Sequence, residues 1–305
     1  MSGIAAYILA ADPSWLRASL ASYYDVVDAV YVCYDKNGRA WTGTKIPVEQ
    51  CIEEARRMDK DKKIRLIPGD FARMNHSPLD NDTWQRQCAV DEASKEFDWI
   101  IQLDTDELLP DAKAFVRRLK DEVPAEFNAV DWPMRTFFHR TPDGHFLEVC
   151  GYLGSQISAF PGPVAVRRGA RLVQSRQTDT PKFRYDISAK DADPAAGGRI
   201  VNKVISPDLA ILHLSWIRSD QEIEQKLESW SHSTDFDWRK YLDKTWRRAP
   251  GSWRWIYRFH PVIPRWWPAL RKVKLKLPEP GELPAGEFPP ETISPGKIPP
   301  GEMPS

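Results

Sequence analysis

Two aspartates separated by one residue, Asp104 and Asp106, follow an apolar segment and carry the clearest chemical signal in the chain. Both carboxylates can reach one hard divalent cation, because Mg²⁺ and Mn²⁺ bind one or two protein carboxylates and leave positions for phosphate oxygens and water. Such a cation stabilises the negative charge that develops on a departing diphosphate. An Asp-x-Asp pair alone is more often a pair of solvated loop residues, so the neighbouring elements decide its weight.

The elements around this pair alternate between strand and helix patterns. Continuous apolar runs predict four buried strands, at residues 4–10, 29–34, 63–67 and 98–103. Helix patterns fall between them, at residues 12–23, 48–58 and 83–96. Asp12 is the predicted N-cap of the first helix, and a polar loop is predicted before the third, at residues 73–82. The alternation predicts an α/β fold with a doubly wound, mostly parallel sheet.

An aspartate follows each predicted strand, and in such sheets ligands bind beyond the carboxyl ends of the strands. We therefore expect four carboxylates along one rim, those of Asp12, Asp35, Asp70 and Asp104. Farther along, the sequence predicts a helix at residues 111–122, a hairpin at 130–149 and a strand at 209–214. Ser219-Asp-Gln-Glu222 matches a capping box that opens another helix.

Residues 84–110 resemble the family-2-like glycosyltransferases with the GT-A fold. The specific part comprises Arg86, Asp98-Trp99 and Asp104-Thr-Asp106-Glu107-Leu-Leu-Pro, and the order of elements over residues 4–110 fits that family's nucleotide-binding half. The resemblance implies a DxD motif in which Asp104 and Asp106 bind the metal, with Asp106 also counted as catalytic. It further implies nucleotide or diphosphate contacts from Ala10, Asp12, Asp35 and Arg86.

A histidine and a catalytic base complete the expected site. The segment from Leu212 to Lys226 is similar to the late His…Lys segment of related enzymes, which implies His213 as a third metal ligand. A core or edge histidine bonded to the backbone is an equally weighted interpretation. Inverting members of the family use an Asp or Glu base, and here the acidic pair expected downstream is missing. The candidates, each also compatible with a structural role, are Asp131 and Asp186 first, then Glu148 and Asp179.

Composition excludes several classes of protein. The chain has 305 residues with 43 Lys plus Arg and 43 Asp plus Glu, so zero net charge gives no overall attraction to nucleic acid. Its four cysteines form no CxxC pair, which favours structural free thiols. No run approaches the roughly 20 apolar residues of a membrane span, and Asp12 and Pro13 interrupt the first apolar run. We expect a cytoplasmic protein.

The predicted organisation has three parts. Residues 1–231 form a catalytic domain, with a nucleotide-binding half at 1–110 and an acceptor half at 111–231. Residues 232–277 form a Trp/Arg-rich helical extension, and residues 278–305 a disordered tail rich in Pro, Gly and Glu. The extension is interpreted as helices packed onto the sheet, because prolines interrupt it; a peripheral membrane contact and a sugar-stacking platform are the alternatives.

The expected function is metal-dependent glycosyl transfer. A nucleotide-diphosphate sugar would be the donor, Mn²⁺ or Mg²⁺ the cofactor, and a hydroxyl of a glycan, lipid, protein or nucleobase the acceptor. A GT-A-like nucleotidyltransferase is one alternative, but it would want a glycine-rich basic loop after the first strand, where residues 10–13 read Ala-Ala-Asp-Pro. A non-catalytic carbohydrate-binding or scaffold protein with a degenerate site is the other.

Overall fold

The computed structural model describes residues 3–192, 199–230, 237–259, 269–275 and 277. Fifteen strands lie in these ranges: β1 Ile4–Leu9, β2 Ala29–Asp35, β3 Ile64–Gly69, β4 Trp99–Gln102, β5 Glu107–Leu108, β6 Ala129–Asp131, β7 Met134–Arg140, β8 Phe146–Val149, β9 Ala165–Arg167, β10 Leu172–Gln174, β11 Gln177–Thr178, β12 Lys182–Asp186, β13 Lys203–Val204, β14 Ile211–His213 and β15 Leu270–Val273. The tail predicted at residues 278–305 lies outside the described residues.

Seven α-helices accompany these strands: α1 Leu16–Tyr23, α2 Val48–Met58, α3 Pro78–Ala93, α4 Ala112–Asp121, α5 Asp220–Ser229, α6 Trp238–Tyr241 and α7 Ala249–Phe259. A π-helical turn, Leu242–Trp246, joins the last two. Short 3₁₀ turns occur at Tyr24–Val26, Tyr152–Gly154 and Pro207–Leu209. The predicted bounds of α2 are those observed, because its apolar residues Val48, Cys51 and Ala55 recur at helical spacing and are all buried.

Eight strands form one large sheet in the order β13-β12-β6-β9-β4-β1-β2-β3. All neighbouring pairs in it are parallel except the two that β9 makes, with β4 and with β6. Residues of α1, α2 and α4, such as Leu20, Cys51 and Phe115, share one buried cluster, whereas Val90 of α3 belongs to another. The alternating apolar and amphipathic segments therefore cover both sheet faces. The predicted α/β fold with a doubly wound, mostly parallel sheet is confirmed.

Two helix starts differ from the prediction. Helix α3 begins at Pro78, inside the predicted polar loop, because Ser77 and Asp80 form a capping box and proline suits the first helical turn. Helix α1 begins at Leu16, and the expected N-cap role of Asp12 is wrong. Asp12 Oδ1 instead accepts a hydrogen bond of 2.9 Å from the Ser14 amide in a local turn.

A second sheet continues directly from the Asp-x-Asp segment. Its strand order is β15-β8-β7-β14-β5, and the predicted hairpin is present as β7 and β8. Strand β14 lies between β7 and β5 and pairs His213 with Glu107. Because β5 begins one residue after Asp106, the sheet carries His213 to the Asp-x-Asp turn from a position more than 100 residues away.

The C-terminal extension packs against this second sheet. Trp246 is buried, and its Nε1 donates hydrogen bonds of 3.1 Å to the carbonyls of both Phe138 and Trp216. Residues 270–273 form a strand that pairs with β8, which the sequence pattern did not predict. Within the described ranges, no helix has the length and apolar character needed to cross a bilayer. A peripheral membrane contact of this segment stays a prediction.

Candidate active site

A cavity of about 1050 Å³ opens beyond the carboxyl ends of β1, β2 and β4. This volume is at the upper end of the range typical of small-molecule sites. Seven of the predicted site residues line it: Ala10, Asp12, Asp35, Arg86, Asp104, Asp106 and His213. The strand-end rim predicted from four aspartates is correct for three of them. Asp70 is exposed and lies outside the cavity lining, because the Asp35 carboxylate holds the chain after β3 through backbone amides.

The Asp104 carboxylate is held by an arginine on α3. Arg86 Nη1 lies 2.9 Å from Asp104 Oδ1, and Arg86 Nε donates to Asp82 Oδ1 at 2.6 Å, one helical turn away. Burial raises the pKa of Asp104, but the positive charges of Arg86 and Arg176 outweigh it and leave that pKa below its usual value. Asp104 is therefore an ionised carboxylate whose side chain keeps 33% of its surface open to the cavity.

The Asp106 carboxylate is held by two cations from the segment after β14. Lys226 Nζ lies 2.5 Å and Arg218 Nη2 2.8 Å from Asp106 Oδ2, while His213 Nε2 lies 3.9 Å from Oδ1. Burial raises the pKa of Asp106, but Lys226, Arg218 and His213 lower it well below its usual range. Arg218 also pairs with Asp12 from the end of β1. Both motif aspartates are therefore charged at neutral pH.

A buried ion pair fixes the turn between the two aspartates. Glu107 is fully buried and receives both terminal nitrogens of Arg176, one at 2.7 Å from Oε2. The same Oε2 accepts a hydrogen bond from the Asp104 amide, and Ser19 Oγ donates to the Glu107 carbonyl at 2.8 Å. Arg176 Nη1 also donates to the carbonyl of Gln102, the last residue of β4. The turn is thus preorganised by Glu107 within it and by Arg176 and Ser19 from two other segments.

Asp35 has a structural role at the end of β2. Its Oδ1 accepts hydrogen bonds from the amides of Asn37 and Arg39, and its Oδ2 from those of Phe71 and Ala72, at 2.8–3.2 Å. The side chain is only 2% exposed. Four amides saturate its acceptor positions. The contact with the base or ribose that the resemblance implies is therefore not available without rearrangement, and Asp35 instead shapes the loop that follows it.

That loop, residues 36–47, forms one wall of the cavity and is called the β2 loop below. Arg39 and Lys45 face each other across an isolated antiparallel bridge, and both are exposed where they line the cavity. Trp41 Nε1 donates to Gln85 Oε1 at 2.7 Å, which ties the loop to α3. Thr42 Oγ1 donates to the carbonyl of Glu228 in α5. The β2 loop and α5 therefore meet across the cavity mouth.

The side chains at the Asp-x-Asp turn fit a divalent cation that arrives with phosphate. Asp104 and Asp106 supply carboxylate oxygens, which suit Mn²⁺ or Mg²⁺, and the imidazole of His213 lies beside them. Among the described residues, no group of three or more His, Cys, Asp or Glu is placed so that it could hold a metal ion by itself. A nucleotide-associated cation does not need one, because one or two carboxylates share it with phosphate oxygens and water.

The candidate bases are not brought to this site. Asp186 is fully buried and accepts hydrogen bonds from Ser158 Oγ and the Ile187 amide on Oδ1, and from the Ala192 amide on Oδ2. Asp131 is buried at the end of β6, where burial raises its pKa. Neither residue lines the cavity, and the same holds for Glu148 and Asp179. The position of each carboxylate gives the prediction of a catalytic base no support.

Three further residues of the site carried weak or no sequence signals. Arg218 precedes the capping box at Ser219, and Lys226 lies in the His…Lys segment. Neither position in the sequence predicts a contact with Asp106. Arg176 stands in a glycine- and proline-rich region where the pattern predicted loops and short strands. Its partner Glu107 is 69 residues away along the chain. These contacts are set by the tertiary fold.

Comparisons with known proteins add little to this geometry. No family model matches the chain, and no curated protein matches it. One matching solved structure is 4-diphosphocytidyl-2C-methyl-D-erythritol synthase from Anaerococcus prevotii, with a TM-score of 0.33 and 12% sequence identity. The match covers 60% of this chain and 89% of that chain. Similarity at this level carries no functional argument, so function must be inferred from the site itself.

The anchoring of α5 over the cavity is expected to weaken at acid pH. Glu222 Oε2 accepts from the Ser219 amide and hydroxyl, and Oε1 from Ser14 Oγ. Burial raises the pKa of Glu222, but these hydrogen bonds outweigh it and lower that pKa below its ordinary 4.5. Because its pKa is lowered in the folded state, ionised Glu222 stabilises α5 fully above about pH 4.5. This stabilisation is lost as the pH falls through the pKa that Glu222 has in the folded protein.

Hydrogen exchange of the α5 amides, corrected for intrinsic rates, measures this effect. Protection of wild-type α5 should fall between pH 6 and pH 3.5. The Glu222→Gln variant should show reduced protection already at pH 6 and little further change. Equal wild-type protection at both pH values would contradict the assignment. Amides of α2, which has no contact with Glu222 among those described, serve as the internal control.

Proposed function

We propose that this protein transfers a glycosyl group from a nucleotide-diphosphate sugar to a hydroxyl acceptor, with a divalent cation held by Asp104 and Asp106. The observation that carries the proposal is the pair of ionised carboxylates on a rigid turn, facing a cavity at the carboxyl ends of three parallel strands. A doubly wound sheet binds nucleotides at this edge. Two adjacent carboxylates at such an edge are suited to an anion that brings its own metal.

The bound cation would stabilise the negative charge of the departing diphosphate. Asp104 and Asp106 would hold it, with His213 as the nearest additional donor. The protein's own cations would assist, because Arg39 and Lys45 stand exposed at the mouth of the same cavity. Arg86 keeps Asp104 ionised and oriented, and Arg218 with Lys226 does the same for Asp106. These fixed charges reduce the reorganisation needed during transfer.

The nucleoside would lie between the ends of β1 and β2 and the β2 loop. Trp41 and Gln85 form a hydrogen-bonded pair on this wall, and Leu79 adds apolar surface. The acceptor would enter along the part of the lining that Pro161, Ser215 and Trp230 form. Trp230 also contacts Trp238 of α6, with ring centroids 5.2 Å apart. The second sheet and the C-terminal helices thus border the acceptor side.

A panel of uridine and guanosine diphosphate sugars, each incubated with the protein and Mn²⁺, tests the proposal. The expected result is release of a nucleoside diphosphate from at least one donor, with loss of the signal on addition of a chelator. Release of pyrophosphate from a nucleoside triphosphate and a sugar phosphate would identify a nucleotidyltransferase instead. Calorimetry that detects no nucleotide binding, with or without Mn²⁺, would leave a non-catalytic protein and contradict the proposal.

A further inference from the structure

The charged groups at the Asp-x-Asp turn form an almost neutral set of ion pairs. Its five carboxylates and four basic side chains leave one net negative charge: Asp12, Asp82, Asp104, Asp106 and Glu107 against Arg86, Arg176, Arg218 and Lys226. A divalent cation added to this set would make it net positive. A dianionic diphosphate added with the cation would return it to one negative charge. The electrostatics therefore favour joint binding of the two ligands.

Lys226 and Arg218 compete most directly with a divalent cation at one oxygen atom of Asp106. Asp106 Oδ2 already receives Lys226 Nζ at 2.5 Å and Arg218 Nη2 at 2.8 Å. A third positive charge at that carboxylate would be repelled by both cations, because Asp106 is only 4% exposed and water screens the repulsion poorly there. Two unit charges about 4 Å apart repel each other strongly in a partly buried environment, which is enough to control metal affinity.

Arg218 and Lys226 differ in how easily each side chain can move away from Asp106. Arg218 is 1% exposed and is anchored three ways, to Asp106, to Asp12 and to the Ser215 carbonyl. Lys226 is 21% exposed, stands on α5 at the cavity edge and has a second partner in Ser215 Oγ at 2.7 Å. A lysine also carries its charge on a flexible stem. Lys226 can therefore turn from Asp106 toward an incoming phosphate, whereas Arg218 is fixed.

We infer that Lys226 is a displaceable counter-cation that makes binding of the divalent metal depend on the nucleotide diphosphate. This inference rests on the proposed function. Without nucleotide, Lys226 stays on Asp106 and keeps the metal weakly bound. With nucleotide, the phosphate oxygens accept Lys226, and Asp106 is released to the metal. Coupling of this kind is reciprocal, so the metal raises nucleotide affinity by the same factor.

Titration of the protein with MnCl₂, followed by the electron paramagnetic resonance signal of free Mn²⁺, tests the inference without any turnover. Wild-type protein should bind Mn²⁺ weakly alone and at least about tenfold more tightly with UDP or GDP present, after correction for Mn²⁺ bound by the nucleotide itself. Lys226→Met should bind Mn²⁺ alone at least about tenfold more tightly than wild type and show little nucleotide dependence. Lys226→Arg should restore weak binding of Mn²⁺ alone.

Lys60→Met is the matched control, because Lys60 also forms an ion pair with an aspartate, Asp25, but outside the cavity. It should behave as wild type. Equal Mn²⁺ affinity of wild type and Lys226→Met in the absence of nucleotide would overturn the inference, and so would an Lys226→Met variant that binds no Mn²⁺. Failure of UDP and GDP to bind any variant would instead count against the proposed function, since the nucleotide-free comparison stands apart from it.

Discussion

Replacement of Asp106 by asparagine is expected to lower turnover of the nucleotide-sugar donor by roughly 10³-fold, which corresponds to about 4 kcal/mol of lost transition-state stabilisation. The substitution keeps the shape of the side chain and removes its charge. It also leaves Lys226 and Arg218 without the carboxylate that they share, so two positive charges remain where one cation should bind. Loss of metal and misplacement of the diphosphate both follow.

The measurement is the rate of nucleoside diphosphate release at saturating Mn²⁺, with circular dichroism to verify the fold. Asp70→Asn is the matched control, because Asp70 also follows a strand of the large sheet but is exposed outside the cavity. Its turnover should equal that of wild type. An Asp106→Asn protein with wild-type turnover would refute the assignment of the metal site.

Replacement of Arg176 by methionine is expected to lower the free energy of unfolding by about 3–5 kcal/mol, the cost typical of breaking a buried ion pair. Glu107 would then be a fully buried carboxylate without its guanidinium partner. The turn beneath Asp104 would lose the Arg176 hydrogen bond to Gln102 as well. Because this turn orients the motif, the variant should also lose Mn²⁺-dependent nucleotide binding.

Urea denaturation of two further variants tests whether the uncompensated charge, and not lost packing, causes the lower stability. Combining Arg176→Met with Glu107→Gln should recover part of the lost stability, since glutamine removes the buried charge and still accepts the Asp104 amide. Arg171→Met should change stability by less than about 1 kcal/mol, because the Arg171–Asp91 pair is on the surface. A double variant no more stable than Arg176→Met alone would show that the uncompensated charge is not the cause.

The elements of residues 4–110 were predictable because local patterns decide them. The apolar run at β1 and the helical spacing of α2 required no knowledge of distant contacts. The signal for α3 was also present, since Ser77-Pro78 with Asp80 is a capping box, but the predicted start was placed at Thr83. That error arose because residues 73–82 were predicted to form a loop, whereas the second half of this polar stretch is the start of the helix.

The strand and the side chains that come to the site from residues after 110 were not predictable from local patterns. Strand β9 has three residues and is defined by antiparallel pairing with β4 and β6. Arg176 and Arg218 reach the motif from 69 and 112 residues away, so no spacing announces them. The prediction of Asp131 and Asp186 as candidate bases has the same origin, because each is an acidic residue at a strand end, and only the tertiary fold places it outside the cavity lining.

The reversed direction of β9 gives this protein a route to new specificity. Because β9 runs opposite to β4 and β6, the segment that enters it arrives at the cavity rim, where Pro161 forms part of the lining. In the course of evolution, the segment that leads into β9 could change in length and in amino-acid composition while the sheet and the Asp-x-Asp turn stay intact. Gly162 marks the limit of this freedom, since a Cβ there would lie 2.6 Å from Arg176 Cγ. Diversification should therefore spare this glycine while the residues around it vary.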